Sequence, residues 1–397
     1  MSDVNGQNTS WDERDGAQVQ LFGSGATPDS PAAVEIRVNN GPIAGMAMSL
    51  DGSRLLVTNY SDHSVSVIDT DRCRVVETIA GVNEPFAIAT GSAPAERAYV
   101  SVVSPAYDSI GVIDASTNTL AATHPLTLSV SDLTADPRGN HVYASRNGAR
   151  SADVAVLDTA TGGIEAVDLA AAPGTTAQCV RISADGSRLY VGINGPSGGQ
   201  LVVVATRAEP DADRGATGRS RWRRKNPKSP HSDQHGKPQL RVVGTVDIGS
   251  AVRDVAVSPD GATVYVASCG ADFGAVVDVV DSRARTVTAT RKIDQIGGLV
   301  TRLTLSGDGD RAYLVSEDRV TVLNTLTQDI AGTVRVAQPS CVIESRDGGH
   351  LYIADYTGTI TMVPVAATIP GIDDARALET STEWIMPELL QYEAALA

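Results

Sequence analysis

Aromatic side chains make up only 4% of the 397 residues, with three Phe and three Trp beside ten Tyr. A core in this chain must therefore rest on aliphatic residues, and apolar residues at 42% with charged residues at 20% are ordinary for a protein that buries one. The four cysteines, Cys73, Cys179, Cys269 and Cys341, lie far apart and form no CxxC pair. That spacing excludes zinc knuckles and thioredoxin-like redox motifs, and reduced thiols are expected. No window approaches 18 consecutive apolar residues, so no transmembrane helix is expected. Met1 to Ser10 is polar where a secretory signal needs a basic patch and an apolar stretch. The expectation is a leaderless cytoplasmic protein, with peripheral membrane association or leaderless export left open. No Walker loop, GxSxG elbow or HExxH is present, which removes the recognisable nucleotide, serine-hydrolase and zinc-protease chemistries.

Lysine is also scarce, and three of the four lysines (Lys225, Lys228 and Lys237) fall in one segment. The formal net charge is −15, which argues against a surface that coats nucleic acid. From Arg214 to Arg241, however, nine Lys/Arg face one Asp, a local +8 that leaves −23 on the rest of the chain.

What the sequence does have is a repeat. Seven short apolar runs recur: LLVTN from Leu55, AYVSV from Ala98, VYASR from Val142, LYVGI from Leu189, VYVAS from Val264, AYLVS from Ala312 and LYIAD from Leu351. From Leu56 through the tyrosines Tyr99, Tyr143, Tyr190, Tyr265 and Tyr313 to Tyr352 the steps are 43, 44, 47, 75, 48 and 39 residues. A period of about 40 to 50 residues is that of propeller blades, and the long step holds the basic segment. Turns such as Asp51-Gly52, Asp185-Gly186 and Asp260-Gly261 precede most of these runs, and Val-rich runs such as VSVIDT from Val65 follow each. A fourth strand follows in six copies. The seventh lacks one, and VEIRV, Val34 to Val38, supplies it from the other end of the chain. The fold expected is all-β: a seven-bladed β-propeller whose N-terminal strand completes the last blade, leaving no open edge between first and last blades.

The stretch LLVTNYSDHSVSVIDT, Leu55 to Thr70, resembles the defining segment of YVTN-repeat propellers, a family with surface-layer and lactonase-like members. The resemblance covers roughly Val34 to Ala367, and the chain as a whole is similar to propeller proteins of mycobacteria and related actinobacteria. It implies the fold. It implies no single function, because the family hosts both binders and lactonases, and no catalytic residue is carried over.

In a propeller, the loops that join blades share a face with the loops between second and third strands. Aligning the blades on their turns places Gly45, Phe86, Asp132, Cys179, Asp254, Arg302 and Cys341 at one equivalent position. With Arg253, Gln178 and His63 nearby in the loops, such a ring could hold a small polar ligand or a divalent cation. Alternatively, Asp and Arg pair across the mouth and hydrate the channel. A further reading gives Asp132 and Asp254 to metal-assisted lactone hydrolysis, where carboxylates position a cation and its water. Cys179 and Cys341 are expected to pack as small apolar residues.

The domain reading is a disordered tail over 1–32, a propeller over 33–367 with a basic insertion at 208–239 in blade four, and an acidic, partly helical tail over 368–397. In the insertion, Arg219, Arg221, Arg223, Arg224, Lys225 and Lys228 surround Trp222. Such a run neutralises phosphates on nucleic acid or anionic lipid, and the Trp can stack or seat at an interface. The competing reading is a solvated loop, or one folded onto the acidic body. The leading function is therefore a monomeric binding or scaffolding propeller that meets a protein partner and needs no cofactor. Its rivals are a lactonase-like hydrolase with a channel cation, and an anionic-lipid or nucleic-acid binder working through the insertion.

Overall fold

The computed structural model describes residues 33–91, 96–104, 107–170, 172–207, 240–270, 274–293 and 299–368. Their strands form seven four-stranded antiparallel sheets. Blade one spans 43–80, blade two 88–125, blade three 129–170, blade four 176–247, blade five 251–293 and blade six 302–335. Blade seven takes three strands from 339–364 and its outermost from the N-terminal strand Val34–Arg37, which pairs antiparallel with Thr359–Pro364. No helix among the described residues is long and apolar enough to cross a membrane.

Each blade is buried on both faces by its neighbours. This is why its inner strands read as unbroken Val, Ile and Ala runs rather than as an alternation. The buried apolar side chains divide into seven clusters, one at each junction between blades. Tyr143 and Val154 of blade three, for instance, pack with Val180 and Val191 of blade four. The junction that closes the ring places Ile36 and Tyr352 against Ile43 and Leu55. With Phe and Trp so scarce, the second-strand tyrosines are the large core groups. Tyr143, Tyr190 and Tyr313 are among the largest fully buried side chains.

The Ser-x-Asp-Gly turns and the Asp-Thr pairs after the third strands explain one another on the face opposite the channel mouth. In blade four the Ser183 hydroxyl donates to Asp185 Oδ1 at 2.6 Å and accepts the Arg188 amide at 3.0 Å, while Gly186 takes φ 70°. Residues 49–54, 258–263, 306–311 and 345–350 repeat the arrangement. The hydroxyl ending the third-strand motif then stitches to the carbonyl of that glycine: Thr70 to Gly52, Thr159 to Gly139, Thr206 to Gly186, Ser282 to Gly261 and Thr325 to Gly309. The aspartate before it accepts the next turn's amides, as Asp158 does from Ala160 and Thr161. The repeated polar signature thus builds the scaffold. Thr206 and Leu240 lie on this same face and bracket 208–239, which is outside the described residues, as are 1–32 and 369–397.

Candidate functional site at the channel mouth

The strand registers place the seven aligned residues at one level. Asp132 lies opposite Ser145, Cys179 opposite Gly192, Asp254 opposite Ala267, Arg302 opposite Val315, Cys341 opposite Ala354 and Gly45 opposite Thr58. Phe86 holds the corresponding place in blade two, bonded through its amide to the Ser101 carbonyl. In five blades a β-bulge immediately precedes the position and re-aims the side chain.

Asp132 and Asp254, on blades three and five, are brought together by a residue that spacing did not single out. Arg181 of blade four donates from Nη1 to Asp132 Oδ2 and from Nη2 to Asp254 Oδ1 at 2.8 Å. Asp132 Oδ2 also accepts the Val180 amide at 3.1 Å, and Asp254 Oδ2 accepts the Leu303 amide at 3.0 Å. The carboxylates are 5% and 1% exposed, and the Arg181 side chain 27%. Burial opposes the charge on Arg181, but the two carboxylates outweigh it and hold the guanidinium raised above its ordinary value. One cation therefore serves two buried anions, and each Asp also fastens its blade to the innermost strand of the next.

Arg302 behaves differently. Its guanidinium carbon lies 5.6 Å from the centre of the Phe86 ring, a cation–π contact between blades six and two, which are as far apart as a seven-membered ring allows. The side chain therefore crosses the channel. Arg253, just before Asp254 on the mouth side, has its Nε buried without a hydrogen-bond partner. Among the described residues neither Arg253 nor Arg302 has a carboxylate partner. Gln178 donates to the Thr176 hydroxyl at 2.8 Å. His63, at φ 52°, accepts the Glu84 amide at Nδ1 at 3.0 Å, and the Tyr60 hydroxyl donates to Glu84 Oε2 at 3.0 Å. That trio fastens the blade-one loop to the linker into blade two. Tyr60, Tyr107 and Tyr356 are 37%, 53% and 47% exposed and lie in equivalent loops of blades one, two and seven.

No family model matches the chain. A curated relative, the seven-bladed beta-propeller protein Rv1057 of Mycobacterium tuberculosis, is 60% identical over 400 residues, covering 100% of both chains. The chain belongs to this family of seven-bladed β-propeller proteins. A second member, from Mycolicibacterium smegmatis, is 36% identical over 180 residues, 45% of this chain and 48% of its own. A solved structure of hydrazine synthase from Kuenenia stuttgartiensis superposes with a TM-score of 0.64 at 19% identity, covering 88% of this chain and 99% of that one, a likeness of fold alone.

Among the described residues, the ring thiols and the aspartates of the opposite face are held in structural contacts. The thiols on the ring are buried: burial pushes Cys341 up to about 11 and Cys179 higher still. A thiol so disfavoured as thiolate is a poor nucleophile. On the opposite face a polar cleft of about 570 Å3 opens between blades four and five, lined by Asp185, Arg188, Tyr190, Asp260, Asp281 and Arg283 among others. Its three aspartates each accept backbone amides of their own turns. Among the described residues no group of three or more His, Cys, Asp or Glu is placed to hold a metal ion. The insertion residues Arg219, Arg221, Trp222, Arg223, Arg224, Lys225 and Lys228 lie outside the described residues.

Proposed function

We propose that this propeller is a binding and scaffolding protein that meets a protein partner on its channel-mouth face and performs no hydrolysis there. The observation that carries the reading is the Arg181 bridge. A lactonase-like centre needs carboxylates free to hold a cation or take a proton from water. Here both ring carboxylates are saturated by one guanidinium and by backbone amides. A cation entering between them would have to displace Arg181 and strand its charge. The surrounding face instead offers the exposed Tyr60, Tyr107 and Tyr356 and the half-buried Arg253 and Arg302, residue types enriched where proteins recognise proteins.

The basic insertion adds a second contact of opposite character. Its +8 against −23 on the remaining chain supports a salt-sensitive attraction to anionic lipid or nucleic acid that the body itself would repel. The enzymatic alternative is tested with purified protein on a panel of lactones, alone and with added Mg2+, Ca2+, Mn2+ or Zn2+. No turnover is expected. Turnover that disappears in a folded Asp132→Ala or Asp254→Ala protein would make this chain a hydrolase.

A further inference from the structure

The chain carries an excess of acid, with 47 Asp and Glu against 32 Lys and Arg, so a basic side chain inside it has carboxylates in easy supply. Arg181, Arg146 and Arg311 take them, Arg146 by a two-bond pairing with Asp153 at 2.8 Å. Arg253 and Arg302 take none. They occupy adjoining segments of the innermost strands of blades five and six, because the Leu303 amide beside Arg302 is bonded to Asp254 beside Arg253. A buried guanidinium N–H without a partner is costly; the Nε of Arg311 is in the same state as that of Arg253, but Arg311 Nη2 reaches Glu344 and Asp308, whereas the Arg253 side chain makes no hydrogen bond among the described residues. Arg302 meets the Phe86 ring with its guanidinium carbon 5.6 Å from the ring centre, and a cation–π contact leaves a guanidinium's five N–H donors able to bind an anion.

We propose that Arg253 and Arg302 form an anion-recognition site at the channel mouth whose ligand is a carboxylate-bearing peptide segment of a protein partner. The inference rests on the binding role proposed above and names the chemistry of its ligand. Two features select a peptide over other anions. Apart from the six buried in second strands, the described tyrosines are Tyr60, Tyr107 and Tyr356, all exposed on this face in the three consecutive blades seven, one and two. They add aromatic surface to the face that carries the cationic pair, which a small anion would leave unused. A polyphosphate backbone, by contrast, would place many charges against a body of −23 for the sake of two arginines.

The test is selection of phage-displayed random dodecapeptides on the immobilised full-length chain. Enriched sequences are expected to carry Asp or Glu next to an apolar or aromatic residue. The synthetic peptide so obtained, measured by fluorescence anisotropy, should lose at least about tenfold in affinity with Arg253→Gln or Arg302→Gln, since each removes a charge-assisted hydrogen bond. Changing its acidic residue to the amide should cost as much. Arg283→Gln on the opposite face should leave affinity unchanged. Thermal unfolding separates recognition from structure: Arg253→Gln should bind worse while its midpoint holds or rises, because the Nε it removes has no partner. No enrichment, enriched peptides without acid, or equal binding by the Arg253→Gln and Arg302→Gln proteins would overturn the proposal, as would displacement of the peptide by citrate at matching concentration. These failures leave the wider binding role standing if partner capture still depends on the tyrosine loops.

Discussion

Arg181→Met is the substitution that most sharply distinguishes a bridging arginine from a free one. Met keeps the length and apolar stem of the side chain and removes the charge that Asp132 and Asp254 share. Two carboxylates, 5% and 1% exposed, then lose their common counter-ion while remaining tied to the Val180 and Leu303 amides. Breaking a buried pair in this way costs about 3 to 5 kcal/mol. An unfolding entropy of about 2.1 cal/mol/K per residue, over the roughly 300 described residues, gives on the order of 0.6 kcal/mol/K. The expected fall in midpoint is therefore about 5 to 8 °C, read by differential scanning calorimetry at neutral pH. Removing all three charges together, as Arg181→Met with Asp132→Asn and Asp254→Asn, should restore most of the loss, because the amides still accept the backbone N–H groups and no charge stays unpaired. A single variant within about 1 °C of wild type, or a triple variant no better than the single one, would refute the bridge as a structural element.

Three further outcomes are expected. Deleting residues 1–40 should lower the thermal midpoint sharply whereas deleting 1–30 should not, since only the longer cut removes Ile36 and Val38, 2% and 5% exposed, from the closing junction; equal midpoints would mean the ring closes otherwise. Burial raises the Asp278 carboxyl above its ordinary value against a single Thr290 hydroxyl, so the folded state favours its protonated form and wild type loses stability as pH rises from about 4 through the folded-state value. Asp278→Asn should therefore unfold higher than wild type at pH 7 and equally at pH 3; an Asn protein less stable at pH 7 contradicts this. Changing Arg219, Arg221, Arg223, Arg224, Lys225 and Lys228 to Ser should abolish any low-salt binding to anionic vesicles or single-stranded DNA, because each basic residue near an anionic surface contributes on the order of 1 kcal/mol and salt screens it; equal binding by both proteins would place the contact elsewhere.

The fold was legible because a blade is a local object. Strand lengths, the Asp-Gly turns and the Val-rich runs all lie within about 40 residues, and Val34 to Val38 declared itself by the strand missing after Thr359–Pro364. The level of Asp132, Cys179, Asp254 and Arg302 could be aligned for the same reason. Their partners could not, because contacts between blades depend on which way a bulged strand leans. Arg181 left one trace: it stands where the other innermost strands carry Ala47, Ile88, Thr134, Ala256, Thr304 and Ile343, and its charge is opposite to that of the aspartates in the blades on either side. The reach of Arg302 to Phe86, 216 residues away in sequence, had no local signature at all. The polar pairs that end the third strands, such as Asp69-Thr70 and Asp158-Thr159, lead in the opposite sense, since polar groups that recur from blade to blade look like sites and are turn stitches.

The binding role is tested most directly by affinity capture from mycobacterial lysate with three folded forms of the chain compared side by side. One is wild type, one carries Tyr60→Ala, Tyr107→Ala and Tyr356→Ala on the channel-mouth face, and one carries Arg283→Ala and Leu326→Ala on the opposite face. A discrete protein retained by wild type and by the opposite-face form, and lost from the tyrosine form, is the expected result. The same retained protein in all three, or none in any, would contradict recognition through the channel mouth.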